Sequence, residues 1–414
     1  MTDAKTSQPG IKRFIGIDWN IGALKTAGSR YWAFVTAVSI LVLVGVLAWV
    51  MVLTEGGAVM AQRDGFTWGF WFSNYMFYVG LAAGGLVVYA SVHLFGAEQF
   101  KPLSRLAVLL AGVLTMAALL GDLTDLVRVW RIYWFVVTPN PTAIFVYTGS
   151  AAGIYMLLCF VDLWVLITGK GGEKLAFTMT LIALPFAIYL HTTTAFVLAL
   201  NKSRELWNSA VMVPIFLTSA VASGVALLLI VAYIMQRFNV LKFKSSMFRS
   251  LSTLLATVMI LDLFLLIVEI AFVYWPTSAK AGHTLRFTEF LTGPYAWIFL
   301  PVLILGGTAF ALLSRRKTRH IPAVQITASA LYVVAIFFKR YTLMSMGFAI
   351  GPLGQTQAPY LPSLAEGLIA LGLLSLGVLF VTLGAKVLPL EVPEDEHHAA
   401  HTLPAGAAEP EVAQ

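Results

Sequence analysis

The chain has 414 residues, of which 59% are hydrophobic and only 11% charged, against roughly 25% charged in ordinary soluble domains, so water is not its main solvent. Its net charge of +7 does not indicate nucleic acid, because Lys and Arg in a polytopic membrane protein report orientation and anionic-lipid contact; the run Arg315, Arg316, Lys317 and Arg319 reads this way. One cysteine, Cys159, argues against iron–sulfur clusters, thiolate zinc sites and disulfides in this chain, and the seven histidines do not fall at matched depths on facing helices as haem ligation needs.

In chain order, residues 1–30 form a basic arm, expected to be mobile and cytoplasmic, which lacks the short apolar core of a secretory signal. Apolar stretches near the roughly 20 residues a spanning helix needs then recur at about 31–53, 67–95, 103–126, 144–168, 175–200, 206–235, 249–275, 294–314, 320–341 and 365–385. They predict ten transmembrane helices in a membrane domain over 31–385, followed by a flexible tail, 386–414. The tail histidines His397, His398 and His401 read as part of a solvated segment rather than as a metal site. With the N-terminus inside, 18 of the 27 Lys and Arg residues fall on the cytoplasmic side, so both termini are expected there. Three segments on the outer side, about 127–143, 276–293 and 342–364, are longer and rich in aromatics, Pro and Gly, as a docking surface would be. Within the first, Trp130 and Trp134 with Arg128 and Arg131 suit an amphipathic stretch at the interface. Gly80, Gly84 and Gly85 in the second predicted helix read as a close helix crossing.

Polar side chains inside a spanning helix are costly and mark paired, relayed or ligand-binding positions. Asn74 and Tyr78 share a face in the outer half of the second predicted helix. Asp122 ends the third, His191 lies in the outer half of the fifth, Glu269 in the outer third of the seventh, and Lys339 and Arg340 at the outer end of the ninth. These groups are expected at one level, with Asp262 on the same helix face as Glu269 and closer to mid-membrane. A quinone needs hydrogen-bond donors at its carbonyls and a route for two protons. Tyr78, His191 and Asn74 suit the first role, Asp122, Glu269 and Asp262 the second. Asp162, apart from this group, reads as structural or as a proton entry point, with His93 as another possible inner contact.

Several strings resemble the NrfD/PsrC family, the membrane subunits of polysulfide-reductase-like complexes, over about residues 67–345. They are Trp207-Asn208-Ser209 followed by Pro214, Ser219-Ala220 and Ser223-Gly224; Leu190-His191-Thr192-Thr193; Asp122-Leu123 with Arg128, where Leu126 replaces the family's Pro; and Asn74 through Gly84. The resemblance implies an all-α integral membrane protein with two four-helix bundles plus an additional helix pair, and a quinone pocket including Asn74, Tyr78, Asp122, Arg128 and His191. It also implies exchangeable menaquinone or ubiquinone, no cofactor bound by this chain, and a ferredoxin-like iron–sulfur partner among further redox subunits. The setting implied is a prokaryotic inner (cell) membrane, with the partner on the extracytoplasmic side; the placement of Asp262 and Glu269 suits the inward branch of a proton relay. The competing readings are a secondary transporter, which favours midplane sites at broken helices, and a purely structural anchor for a redox complex.

Overall fold

In lipid a spanning segment must satisfy every backbone group internally, which favours long helices. The computed structural model, which describes residues 11–204, 206–274, 290–350 and 357–391, contains ten helices long and apolar enough to cross a membrane. They are α1 (Ser29–Glu55), α2 (Phe70–Phe95), α3 (Ser104–Asp125), α4 (Ile144–Thr168), α5 (Gly172–Ala199), α6 (Met212–Arg237), α7 (Ser245–Tyr274), α8 (Ala296–Ser314), α9 (Pro322–Gly347) and α10 (Leu364–Val387). The tail histidines and residues 276–289 of the second expected outer segment lie outside the described residues. So do residues 351–356 of the third.

Helices α2–α5 pack into one four-helix bundle and α6–α9 into a second; α1 and α10 pair with each other, and α10 lies against α3 and α2. The expected architecture is therefore present. Alternating helix directions put the starts of α2, α6 and α10 and the ends of α3, α5 and α9 on one face, the far face. The opposite, basic face carries the chain's first described residues and the loops 96–103, 238–244 and 315–321.

Helix α2 touches α3, α5, α6, α9 and α10, so it is buried on nearly every side. This accounts for its glycines. A Cβ on Gly84 would collide with the backbone of Gly224 in α6, and one on Gly85 with the carbonyl of Ala107 in α3. Gly45 and Gly372 make the same kind of backbone approach between α1 and α10. Close approach of this kind supplies the dispersion contacts that drive helix association in lipid. Gly84→Val is therefore expected to abolish recovery of folded protein from membranes, measured as the monodisperse fraction after detergent extraction, whereas Gly153→Val, at a position with open space, should leave it unchanged.

Two elements differ from expectation. The arm carries a hairpin: β1 (Ile11–Phe14) and β2 (Ile17–Asn20) pair antiparallel, and the turn residues Ile15 and Gly16 both have positive φ, 54° and 79°, the geometry of a two-residue hairpin turn. Trp164 of α4 donates to the Ile15 carbonyl at 2.8 Å, which ties the turn to the first bundle. At the other end of the chain, α9 continues to Gly347 instead of stopping near residue 341, so Lys339 and Arg340 sit about two turns inside the helix rather than at its end. After α3, the expected amphipathic stretch forms two short helical turns, Val129–Tyr133 and Trp134–Val137, with Trp130, Tyr133 and Trp134 exposed.

Candidate functional site

The polar residues anticipated at one level separate into two clusters. The first lies near the far face, where α2 and α10 begin and α3 ends. Tyr78 is buried and donates to the Ala370 carbonyl of α10 over a long 3.4 Å. Asn74, one turn earlier, donates to Phe70 of its own helix at 3.0 Å. Between them Tyr75 is 2% exposed and lies beside Asp122 of α3 and Thr194 of α5, and among the described residues its hydroxyl has no partner at hydrogen-bonding geometry. The indole N–H groups of Trp71 and Trp49 are likewise buried and unpartnered.

Asp122 neighbours Asp125, and Asp125 accepts from Gln62 and neighbours Glu366. Glu366 is the hub. Its carboxylate accepts from the backbone N–H groups of Ala61 (3.3 Å), Phe70 (3.3 Å) and Ser363 (2.8 Å) and from the Tyr360 hydroxyl. Phe70 opens α2 and Ser363 caps α10, so one buried carboxylate serves two helix N-termini, where orphan donors and the helix dipoles favour negative charge. A side chain on Gly69 would strike Glu366 and Gln62, which explains a glycine there. Burial, then the Glu366 carboxylate beside it, push the Tyr360 hydroxyl well above the ordinary tyrosine range, so that donor persists at physiological pH. Glu366→Gln would turn an amide NH₂ toward backbone donors and is expected to cost about 2–3 kcal/mol, read as a lower thermal unfolding midpoint of the purified protein.

His191 adjoins this cluster from α5. Its Nδ1 lies 2.7 Å from the Ala187 carbonyl and its Nε2 3.0 Å from the Val79 carbonyl of α2. A neutral imidazole has one N–H and can donate to only one of them, so the ring works here as a tie between α5 and α2. Arg128 stands apart: it is exposed, beyond the end of α3, and its side chain makes no hydrogen bond or ion pair among the described residues.

The second cluster is in the second bundle. Lys339 pairs with Asp262 at 2.6 Å, both side chains almost fully buried, and Tyr332 donates to the other Asp262 oxygen at 2.8 Å. Glu269, which accepts from Ser209 at 3.3 Å, lies within electrostatic reach of Lys339, so Lys339 sits between the two carboxylates. Arg340 is fully buried. It donates to Ser219 at 2.6 Å and stacks over Phe216, while its Nε and Nη1 have no hydrogen-bond partner among the described residues. Its Nη2 also stands 3.8 Å from where a Cβ on Gly80 would lie. That places it at the α2–α6–α9 crossing, between the clusters. Lys339 and Glu269, with Trp207 and Met212, line a cavity of about 70 Å³, room for about two waters and far below the roughly 300 Å³ of a small-molecule pocket.

Tyr75, Gln62, Asp125, Tyr360 and Glu366 were not singled out in the sequence. For Glu366 a local signal existed: Ser363-x-x-Glu366 is a capping box, a pattern that precedes helices. Its tertiary partners, some 300 residues away, have no sequence signature.

Ten apolar helices in two bundles and a pair define a multi-pass, all-α membrane protein. The chain belongs to the NrfD family: the family described as "Polysulphide reductase, NrfD" matches residues 58–351. The match leaves out α1 and α10. Similar curated proteins include a putative dimethyl sulfoxide reductase membrane subunit of Halobacterium salinarum, 28% identical over 87% of this chain and 92% of the relative. Others are the Hdr-like menaquinol oxidoreductase integral membrane subunit of Archaeoglobus fulgidus, 26% identical over 88% and 94%, and a selenate reductase subunit of Mesobacillus selenatarsenatis, 25% identical over 90% and 97%.

Proposed function

We propose that this chain is the quinone- or quinol-reacting membrane subunit of a multisubunit respiratory oxidoreductase, and that the reaction takes place at the far-face cluster of α2, α3 and α10. The observation that carries this reading is the set of buried donors that have no acceptor among the described residues, Tyr75 and Trp71, beside Tyr78 and the carboxylates Asp122 and Asp125. Buried donors are nearly always satisfied, and a quinone carbonyl is an uncharged acceptor that suits them. A quinone supplies two-electron, two-proton chemistry. The chain's own part is to hold the carbonyl oxygens through Tyr78, Tyr75 and Asn74, with His191 fixing α2, and to pass protons through Asp122 and Asp125, while Glu366 holds the two helix starts in place. Arg128 belongs to the exposed rim of this site.

In this reading menaquinone or ubiquinone exchanges from the membrane. An iron–sulfur partner subunit docks on the far face, where Trp130 and Trp134 are exposed, and takes or gives the electrons. The relatives named as membrane subunits of reductases support such an assembly, and the one named a menaquinol oxidoreductase subunit supports the quinone. The basic face is then cytoplasmic, the far face extracytoplasmic, and the membrane that of a prokaryotic cell. Asp262, Lys339 and Glu269 form a proton relay in the second bundle, whose small cavity has room for water.

The test is quinone-linked turnover of the complex purified with its native partners. Reduction or oxidation of a soluble quinone analogue that saturates and is blocked by a quinone-site inhibitor is expected. A complex with intact redox partners and no quinone reaction contradicts the proposal and favours transport.

A further inference from the structure

The first bundle holds one buried acid that the far-face cluster does not use. Asp162 of α4 is 1% exposed, and among the described residues neither of its carboxylate oxygens has a hydrogen-bond partner. An ionised carboxylate in such a place, with no donor and no cation beside it among the described residues, carries a large desolvation cost. The groups around it do not offset that cost. From α2, Tyr89 lies in electrostatic contact with Asp162, but its hydroxyl is turned to the Ala176 carbonyl of α5 at 3.5 Å, with Thr180 beside it. On its own helix, Cys159 and Tyr155 are near, and neither is a cation. From α3, Arg105 approaches α4 but donates to the carbonyls of Leu166, Pro389 and Glu391.

A line of titratable groups leads from Asp162 to the basic face. Tyr89 packs against His93, one turn further along α2, with ring centroids 4.7 Å apart. His93 Nε2 is buried without a partner among the described residues, and the ring senses both Lys101 and Glu173, whose 3.9 Å ion pair lies at the surface of that face. We infer that Asp162 is a proton-binding carboxyl loaded from the basic face through His93 and Tyr89, separate from the far-face cluster. Histidine is suited to the surface end of such a route because its charge changes near neutral pH. The Asp162 oxygens, with no donor to hold a negative charge, are suited to the storing end. This inference does not rest on the quinone reading, since the site would load in the resting protein.

The test is infrared spectroscopy of the purified protein near neutral pH without turnover. The difference between wild type and Asp162→Asn is expected to isolate a protonated-carboxyl C=O band, which Asp162→Glu should shift rather than remove if Asp162→Asn fails to fold. In deuterium oxide the band's exchange is expected to slow about tenfold or more in His93→Phe and to keep the wild-type rate in His320→Phe, on the basic-face loop of the second bundle. Dicyclohexylcarbodiimide, which attacks protonated carboxyls in apolar surroundings, should label the peptide containing Asp162. Absence of the band together with an unlabelled Asp162 overturns the proton site. A band whose exchange is unchanged in His93→Phe overturns the route.

Discussion

Tyr78→Phe in the assembled complex is expected to lower quinone turnover about tenfold, the effect of losing roughly 1.4 kcal/mol from a hydrogen bond to a reacting carbonyl. Asp122→Asn is expected to lower it about a hundredfold, because it removes a group that accepts a proton during the reaction. Neither change should disturb the fold. The Tyr78 hydroxyl makes one long bond, 3.4 Å to Ala370, and Asn is nearly isosteric with Asp. Subunit stoichiometry and thermal midpoint should therefore match wild type while kcat falls. His191→Ala should behave differently: it removes the tie to Val79 and is expected to lower stability together with activity. Full turnover in both Tyr78→Phe and Asp122→Asn would move the reaction away from this cluster.

The second large effect concerns the buried pair in the other bundle. Lys339→Met leaves Asp262 with Tyr332 as its direct donor and Arg340 as a more distant cation, and Asp262→Leu leaves Lys339 with the more distant Glu269 as its anion and Arg340 as a like charge nearby. Removing one member of a buried pair costs about 3–5 kcal/mol, because the remaining charge is uncompensated, whereas replacing both by apolar residues is often neutral. Each single variant is thus expected to give little extractable protein, and the double variant Asp262→Leu/Lys339→Met to restore it. If the relay assignment holds, the restored double variant keeps quinone turnover but transfers fewer protons per electron in proteoliposomes. Single variants as stable as wild type would show that the pair is not the charge lock its geometry describes.

Much of the fold was legible because the membrane makes a simple demand on the sequence. A helix that must bury its backbone in hydrocarbon needs about 20 apolar residues, and ten such stretches are plain. Gly80, Gly84 and Gly85 likewise announced the crossing, since little but packing explains three glycines so close together in a helix. Helix ends were less legible. Residues 342–347, Thr-Leu-Met-Ser-Met-Gly, read as an approach to a loop, yet Thr342, Ser345 and Gly347 are buried inside the protein, where protein neighbours rather than lipid receive them. The hairpin was missed for a related reason: Ile11–Phe14 and Ile17–Asn20 are too short and polar to stand out, and their order depends on contacts with α4.

The candidate site was legible as a set of helices more than as a set of partners. Asn74, Tyr78, Asp122 and His191 do gather on the first bundle, because each is a polar residue that lipid would reject. Periodicity could not show that Tyr75 rather than Asn74 would lie beside Asp122, nor that Lys339 would stand between Asp262 and Glu269. Those are tertiary juxtapositions. The largest omission, Glu366, begins a helix outside the matched family segment and looks from its neighbours like an ordinary cap.

The most direct test of the account is photolabelling of the intact complex with an azido-quinone, followed by mass-spectrometric mapping of the adducts. Adducts are expected in residues 70–82, 115–127 and 366–374, suppressed by excess natural quinone and by the inhibitor that blocks turnover. Competable labelling confined to α6–α9 would contradict it.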